Sequence, residues 1–210
     1  MYSKLQYISQ GETSEIQFQN IQNALENGCS WIQLRFKKAG YEELLELAGK
    51  VKVLCCEYSA TFIINDHVQI AREIDADGVH LGLQDMPVAK ACSILGPDKI
   101  IGGTANTTED VRLRIKEKCN YIGLGPFRFT ETKENLSPVL GVEGYEQVLS
   151  EFTSAASEIP IYAIGGITVN DINTLMKVGV HGVAMSGAIT NKLGETSLIK
   201  QINSMLYGNS

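Results

Sequence analysis

Short runs of apolar and β-branched residues alternate with amphipathic segments along the whole chain. The apolar runs are typical of parallel strands that are buried on both faces, and apolar residues at helical spacing predict the helices between them. The predicted strands cover residues 5–9, 31–36, 61–64, 78–82, 99–103, 121–125, 161–165 and 182–185. The predicted helices cover residues 15–27, 41–58, 68–74, 87–95, 107–118, 144–156, 168–177 and 197–206.

Eight strand–helix units therefore follow one another, with no Pro/Gly/Ser-rich linker and no shift in composition between them. This pattern predicts an α/β protein with a single (β/α)8 TIM barrel domain over residues 1–210, near the small end of that fold's range. A doubly wound open sheet is the alternative architecture. The even size of the units and the glycine-rich end of the chain favour the barrel.

Charge and cysteine content narrow the classes of partner. A formal net charge of −6 disfavours nucleic acid as the main ligand, although a local cluster of Lys and Arg can still bind an anionic small molecule. Five cysteines without metal-like spacing, and no secretory signal, indicate a reducing cytoplasm. No stretch approaches the roughly 18 apolar residues of a membrane-spanning helix. We expect small-molecule partners, no membrane, and an oligomeric state that the sequence leaves open, a homo-oligomer included.

Acidic residues follow the third and fourth predicted strands. Asn65 and Asp66 end the third strand, and Asp85 follows the fourth. Because neighbouring parallel strands end at the same edge of a sheet, these oxygen ligands predict a site for a hard cation such as Mg²⁺. The alternative is that Asn65 and Asp66 merely cap the next helix, which these residue types do well.

Polar residues also end the other strands, at the edge where a barrel carries its active site. Gln33, Arg35 and Lys37 lie two apart, so they share one face of the second strand, and three polar residues there favour a functional site. The remaining candidates are Thr104, then Thr130, Thr132 and Lys133 in a longer loop, and finally Gly166, Ser186 and Gly187. Glycine-rich loops after the last two strands are typical of a phosphate site. Taken singly, Gly165-Gly166 could be a simple turn and 130–133 a surface loop, and we assign none of the three histidines a catalytic role.

Seven segments, taken in order, closely resemble the thiamine-phosphate synthase family. They are QLRFK (33–37), FIINDHVQIA (62–71), GVHLGLQD (78–85), IIGGTA (100–105), YIGLGPFRFTETK (121–133), AIGGI (163–167) and GVAMSGAI (182–189). The elements QxRxK, ND, LGxxD and TxTK are specific together, although none is specific singly. The resemblance implies a Mg²⁺-dependent transferase that joins hydroxymethylpyrimidine diphosphate to hydroxyethylthiazole phosphate, giving thiamine phosphate and pyrophosphate by a dissociative displacement.

The resemblance also implies a role for each candidate. Contacts to the pyrimidine diphosphate would come from Gln33, Arg35, Lys37, Asn65, Thr104 and Lys133, and the catalytic cations would be Arg35, Lys37 and Lys133. Asp66 and Asp85 would bind Mg²⁺. The thiazole phosphate would be held by Thr130, Thr132, Gly166, Ser186 and Gly187.

The chain departs from the family pattern at several positions. Thr104 stands where the family usually has Ser, and Ala105-Asn106 where it often has a His. Arg128 and Glu131 replace apolar residues or Pro, and Ser186-Gly187 replaces a common Ile-Ser pair. Two other functions stay open at this point: a thiazole tautomerase-like barrel, which requires an acid/base residue, and a non-catalytic barrel that binds a phosphorylated ligand.

Overall fold

The eight strands form a closed parallel barrel in the order of the sequence. A computed structural model describes residues 2–129, 138–152, 159–192 and 197–208. The strands are β1 Leu5–Ile8, β2 Trp31–Leu34, β3 Thr61–Asn65, β4 Gly78–Leu81, β5 Ile100–Ala105, β6 Tyr121–Leu124, β7 Ile161–Ile164 and β8 Gly182–Met185. The predicted (β/α)8 barrel is confirmed, and the open sheet is wrong because β8 pairs with β1.

Helices connect the strands on the outside of the barrel. They are α1 Ser14–Glu26, α2 Tyr41–Glu57, α3 Val68–Glu73, α4 Val88–Leu95, α5 Thr108–Lys116, α6 Gly141–Ser150, α7 Ile172–Val178, α8 Gly187–Thr190 and α9 Leu198–Tyr207, with a 3₁₀ turn at Val169–Asp171 before α7. Their ends follow local chemistry: at the start of α5 the Thr107 side chain accepts from the Asp110 N–H, and the Asp110 side chain accepts from the Thr107 N–H. Within the described ranges, no helix combines the length and apolar character needed to cross a membrane.

Several details of the structure differ from the sequence prediction. Strand β2 ends at Leu34 rather than at 36, so Arg35 and Lys37 lie beyond the strand. Helix α6 begins at Gly141 rather than at 144, and residues 153–156 of its predicted span lie outside the described residues. The four-residue helix α8 was not predicted, since such a short segment carries no helical periodicity.

Aromatic side chains close the amino end of the barrel. Trp31, Tyr121 and Tyr162 are each 1% exposed, and the Trp31 ring centroid lies 4.9 Å from that of Tyr121 and 5.1 Å from that of Tyr162. Edge-to-face packing of this kind stabilises aromatic pairs beyond their buried area. We call these three residues the aromatic floor. Above it the barrel interior becomes polar. The first polar contact is the hydrogen bond that Gln6 donates to the Tyr121 hydroxyl at 3.2 Å.

Candidate active site

A pocket of about 430 Å³ opens at the carboxyl end of the barrel. The structure brings ten of the predicted residues into its lining: Gln33, Arg35, Lys37, Asn65, Asp66, Asp85, Thr104, Gly166, Ser186 and Gly187. The other three, Thr130, Thr132 and Lys133, lie outside the described residues. Residues from strands on opposite sides of the barrel therefore converge on one space.

Two carboxylates lie side by side at one edge of this pocket. Asp66 directly follows β3, and its backbone has a φ of 65°, a left-handed conformation that Asp and Asn tolerate better than most residues. Its N–H donates to the His80 carbonyl at 2.9 Å, which ties it to β4. Asp85 folds back onto the end of β4, where its Oδ2 accepts from the Gly82 N–H at 2.6 Å. The helix-cap alternative is wrong, because His67 and not Asn65 or Asp66 occupies the N-cap position of α3.

The two carboxylates perturb each other's ionisation. Burial and the neighbouring Asp85 carboxylate raise the pKa of Asp66 to about 6, and Lys37 opposes the shift. Burial raises the pKa of Asp85 too, but hydrogen bonds with Asp66 and the Gly82 N–H outweigh it and hold that pKa below its usual value. Adjacent carboxylates favour a shared proton or a shared cation. The Lys37 Nζ, 3.3 Å from Asp66 Oδ2, already supplies part of that positive charge.

The chemistry of this pair fits Mg²⁺. Mg²⁺ commonly binds through one or two carboxylates and completes its shell with water and substrate phosphate oxygens. Among the described residues, no group of three or more His, Cys, Asp or Glu side chains could enclose a metal ion. That part of the chain therefore holds no closed cluster of such side chains, and the Asp66–Asp85 pair offers two carboxylates on one side of the pocket.

Next to the carboxylates, β2 and β3 present polar side chains to the pocket. Gln33, 2% exposed, donates from Nε2 to Asn65 Oδ1 at 3.0 Å. The Gln33 Oε1 is buried without a hydrogen-bond partner among the described residues, so it is an acceptor for a ligand N–H. Arg35 is half-buried; burial lowers its pKa and Asp66 opposes that shift. An arginine remains charged under such shifts, so Arg35 offers a cation close to the carboxylates.

A hydrogen-bonded chain fixes the Thr104 hydroxyl. The His80 Nε2 lies 3.0 Å from Thr104 Oγ1, and the His80 Nδ1 lies 3.0 Å from the Tyr121 hydroxyl. His80 is therefore a buried histidine with both ring nitrogens hydrogen-bonded. Sequence reasoning missed that it also lines the pocket. The alternation of side chains along β4 was the available signal, since it turns His80 inward.

The opposite side of the pocket is a glycine loop that follows β7. Gly165 and Gly166 have φ values of 92° and 68°, which favour glycine. The Arg128 N–H donates to the Gly165 carbonyl at 3.1 Å, and its Nη1 donates to the Gly166 carbonyl at 2.8 Å. Because the C=O and N–H of a trans peptide point in opposite directions, the N–H groups of Gly166 and Ile167 turn away from Arg128. The loop thus holds backbone donors in a fixed orientation.

Arg128 is itself held by Asp171. Its Nη1 and Nη2 donate to the two Asp171 carboxylate oxygens at 2.5 and 2.8 Å. Burial alone would raise the pKa of Asp171, but hydrogen bonds from Arg128 and Thr168 lower it to about 2. A bidentate pair of this kind adds geometric precision to its charge attraction. Across from it, the Ser186 Oγ is buried without a hydrogen-bond partner among the described residues.

Comparison with known proteins gives one consistent result. A family model described as thiamine monophosphate synthase matches residues 5–189. The thiamine-phosphate synthase of Flavobacterium johnsoniae is 56% identical over 209 residues, which are 100% of this chain and 99% of the relative. That of Flavobacterium psychrophilum is 57% identical over 206 residues, which are 98% of this chain and 100% of the relative. The solved thiamine phosphate pyrophosphorylase from Pyrococcus furiosus has a TM-score of 0.83 at 31% identity, over 98% of this chain and 97% of that chain.

Proposed function

The chain belongs to the thiamine monophosphate synthase family, and from that premise we propose how its pocket performs the reaction. The reaction is a transfer in which hydroxymethylpyrimidine diphosphate and hydroxyethylthiazole phosphate give thiamine phosphate and pyrophosphate. The observation that carries the proposal is that one pocket joins the Asp66–Asp85 pair and the cations Arg35 and Lys37 to a glycine loop on its far side. Such a pocket has separate places for a diphosphate and a monophosphate.

The side with the carboxylates and cations receives the pyrimidine diphosphate. Arg35 and Lys37 bind diphosphate oxygens and stabilise the negative charge that develops as the carbon–oxygen bond breaks. We place Lys133, in the loop outside the described residues, in the same role by resemblance. Mg²⁺ held by Asp66 and Asp85 would supply further positive charge to the departing pyrophosphate. Pyrophosphate leaves with the bonding electron pair, and the electron-rich pyrimidine ring bears the resulting positive charge.

Gln33, Asn65 and Thr104 orient the pyrimidine ring. The unpartnered Gln33 Oε1 is available to accept from a ring amino group, and Asn65 holds the Gln33 side chain in place. The Thr104 hydroxyl, fixed by His80, adds a third polar contact. Three contacts on one planar ring fix the methylene carbon relative to the second substrate, which is the positioning that a two-substrate reaction requires.

The glycine loop and the β8 end receive the thiazole phosphate. Arg128 binds the carbonyls of this loop, so the N–H groups of Gly166 and Ile167 point away from it and can donate to a phosphate. The backbone at Ser186 and Gly187 offers further contacts to the same phosphate. We assign Thr130 and Thr132 to this subsite by resemblance. The thiazole nitrogen attacks with its lone pair and carries no proton, so this site requires no general base at that atom.

The two alternatives find less support. A tautomerase moves a proton and requires an acid/base residue, and this chain has Ala105-Asn106 where the family often has a His. The Asn106 amide donates to the Gly125 carbonyl. A binding barrel without catalysis has no need of Asp66, Asp85, Arg35 and Lys37 at one edge of its pocket. We further propose that residues 1–210 form one domain and that the protein works in the cytoplasm.

Incubation of the protein with both heterocycles and Mg²⁺ tests the function. We expect pyrophosphate and thiamine phosphate in equal amounts, and no pyrophosphate beyond background after Mg²⁺ is removed by a chelator. A folded preparation that forms neither product contradicts the proposal. Isomerisation of a thiazole phosphate without pyrophosphate release would instead support the tautomerase alternative.

Adjacent lysines provide an internal comparison for the diphosphate subsite. Lys37 contacts Asp66, whereas Lys38 pairs with Glu12 on the surface. We expect Lys37→Ala to raise the KM for the pyrimidine diphosphate about tenfold, since a charge-assisted hydrogen bond contributes about 1.5–3 kcal/mol. Lys38→Ala should leave that KM within about twofold, because exposed ion pairs contribute little. Equal KM values for the two variants, measured by pyrophosphate release, would refute the role of Lys37.

A further inference from the structure

A buried arginine outside the pocket lining contacts the ends of two barrel strands. Arg114 lies on α5, and its side chain is 4% exposed. Its Nε donates to the Thr104 carbonyl at 3.0 Å, and its Nη2 donates to the Gly82 carbonyl at 3.0 Å and the Leu81 carbonyl at 3.4 Å. Its Nη1 pairs with Glu117 Oε2 at 2.8 Å. The guanidinium therefore binds the carboxyl ends of both β4 and β5.

The barrel makes room for this side chain. A Cβ added at Gly103 would lie 2.6 Å from Arg114 Cδ and 2.8 Å from its Nε. Burial of a charged group is costly unless it is paired and hydrogen-bonded, and Arg114 has three carbonyl acceptors and the Glu117 carboxylate as partners. A small apolar residue at this position of α5 would need no hydrogen-bond partners. The position therefore indicates that the guanidinium has a specific role.

One peptide group links Arg114 to the carboxylate pair. The Leu81 carbonyl accepts from Arg114, and the N–H of the same peptide, on Gly82, donates to Asp85 Oδ2 at 2.6 Å. A cation at the carbonyl end polarises the peptide and strengthens the donor at its other end. Gly82 also lets the carboxylate approach, since a Cβ there would lie 2.7 Å from Asp85 Oδ2.

We propose that Arg114 is a positioning residue for Asp85. By holding the carbonyls of Leu81 and Gly82, it fixes the turn whose N–H orients the Asp85 carboxylate toward a divalent cation. Arg114 acts through the peptide and touches neither substrate nor metal. The inference rests on the proposed function, because it requires Asp85 to be a metal ligand.

Direct metal binding tests the inference without an activity measurement. The probe is Mn²⁺, detected by electron paramagnetic resonance, in the presence of inorganic pyrophosphate. We expect Arg114→Ala to raise the Kd for Mn²⁺ about tenfold or more, the usual size of such indirect effects on a metal site. Arg112→Ala is the matched control: this exposed arginine on the same helix pairs with Glu109 and Glu151 and should bind Mn²⁺ as the wild type does.

Two further variants separate the possible failures. Arg114→Lys keeps a cation and most of the volume but lacks the planar guanidinium group. We expect it to fold and to weaken Mn²⁺ binding, so it replaces Arg114→Ala in the test if that variant does not fold. A folded Arg114 variant with wild-type Mn²⁺ affinity overturns the inference. Asp85→Ala is the reference for the metal site itself. If Asp85→Ala binds Mn²⁺ as tightly as the wild type does, the proposed metal site is wrong and the inference falls with it. If only the Arg114 variants are unaffected, the metal site stands.

Discussion

Asp66→Asn is expected to lower kcat by about 10²–10³-fold, the range found when one charge-stabilising group is removed from an active site. The variant keeps the size of the side chain, and Asn tolerates the φ of 65° as well as Asp does, so the backbone should not change. What is lost is one of the two carboxylates that we assign to Mg²⁺. The variant should also require a higher Mg²⁺ concentration for half-maximal pyrophosphate release.

Asp98→Asn is the control for this experiment. Asp98 is an exposed carboxylate just before β5, at the end of the barrel away from the pocket. Its replacement changes the net charge by the same amount and should leave both kcat and the Mg²⁺ response unchanged. Wild-type kcat and an unchanged Mg²⁺ response in Asp66→Asn would show that the metal assignment is wrong.

Gly166→Ala is expected to raise the KM for the thiazole phosphate by about 10–100-fold. The added methyl group would lie 2.4 Å from Arg128 Cγ and 3.0 Å from the Phe129 carbonyl oxygen. Arg128 must therefore move, and the Gly166 carbonyl loses the donor that orients the next N–H. Loss of one hydrogen bond to a charged group costs about 1.5–3 kcal/mol, which gives approximately the stated range. The KM for the pyrimidine diphosphate should change far less.

Gly179→Ala separates backbone strain from damage to the phosphate site. Gly179 has a φ of 104° at the end of α7, and an added Cβ there meets no atom within 4 Å. Both variants place alanine in a left-handed conformation, at a cost on the order of 1–3 kcal/mol, so both should lower the Tm. Only Gly166→Ala should change the KM for the thiazole phosphate. Equal KM values in the two variants would contradict the assignment of this loop.

The sequence predicts the fold and most of the site because both depend on strand ends. Polar residues follow several of the apolar runs, and parallel strands bring those ends to one edge, so Asn65, Asp66 and Asp85 could be placed together from the sequence alone. The strained backbone of Asp66 and its hydrogen bond to the His80 carbonyl could not be predicted. They depend on the register between β3 and β4, which places Asn65 beside His80.

The burial of Arg114 could not be predicted from the sequence. Arg114 lies in a helix rich in charged residues, TEDVRLRIK, whose pattern is typical of a solvated face. Its burial depends on the space left by Gly103 on another element, and a single sequence shows no link between these two positions.

The early end of β2 has a similar cause. The pairing of β2 with β3 stops at Leu34 and Ile64, and the alternation of side chains along β2 alone does not reveal where that pairing stops.

The aromatic floor has a consequence for the passage of molecules through the site. Trp31, Tyr121 and Tyr162 pack across the amino end, so the barrel is closed at that end and open only at its carboxyl end. Two substrates must arrive, and two products must depart, through the same opening at the carboxyl end. Gln33 lies deep in the pocket, so a ring bound against it is covered by a second ligand that binds nearer the opening. A ligand bound near the rim therefore blocks entry to the bottom of the pocket, and the deeply bound ring must enter before the rim is occupied.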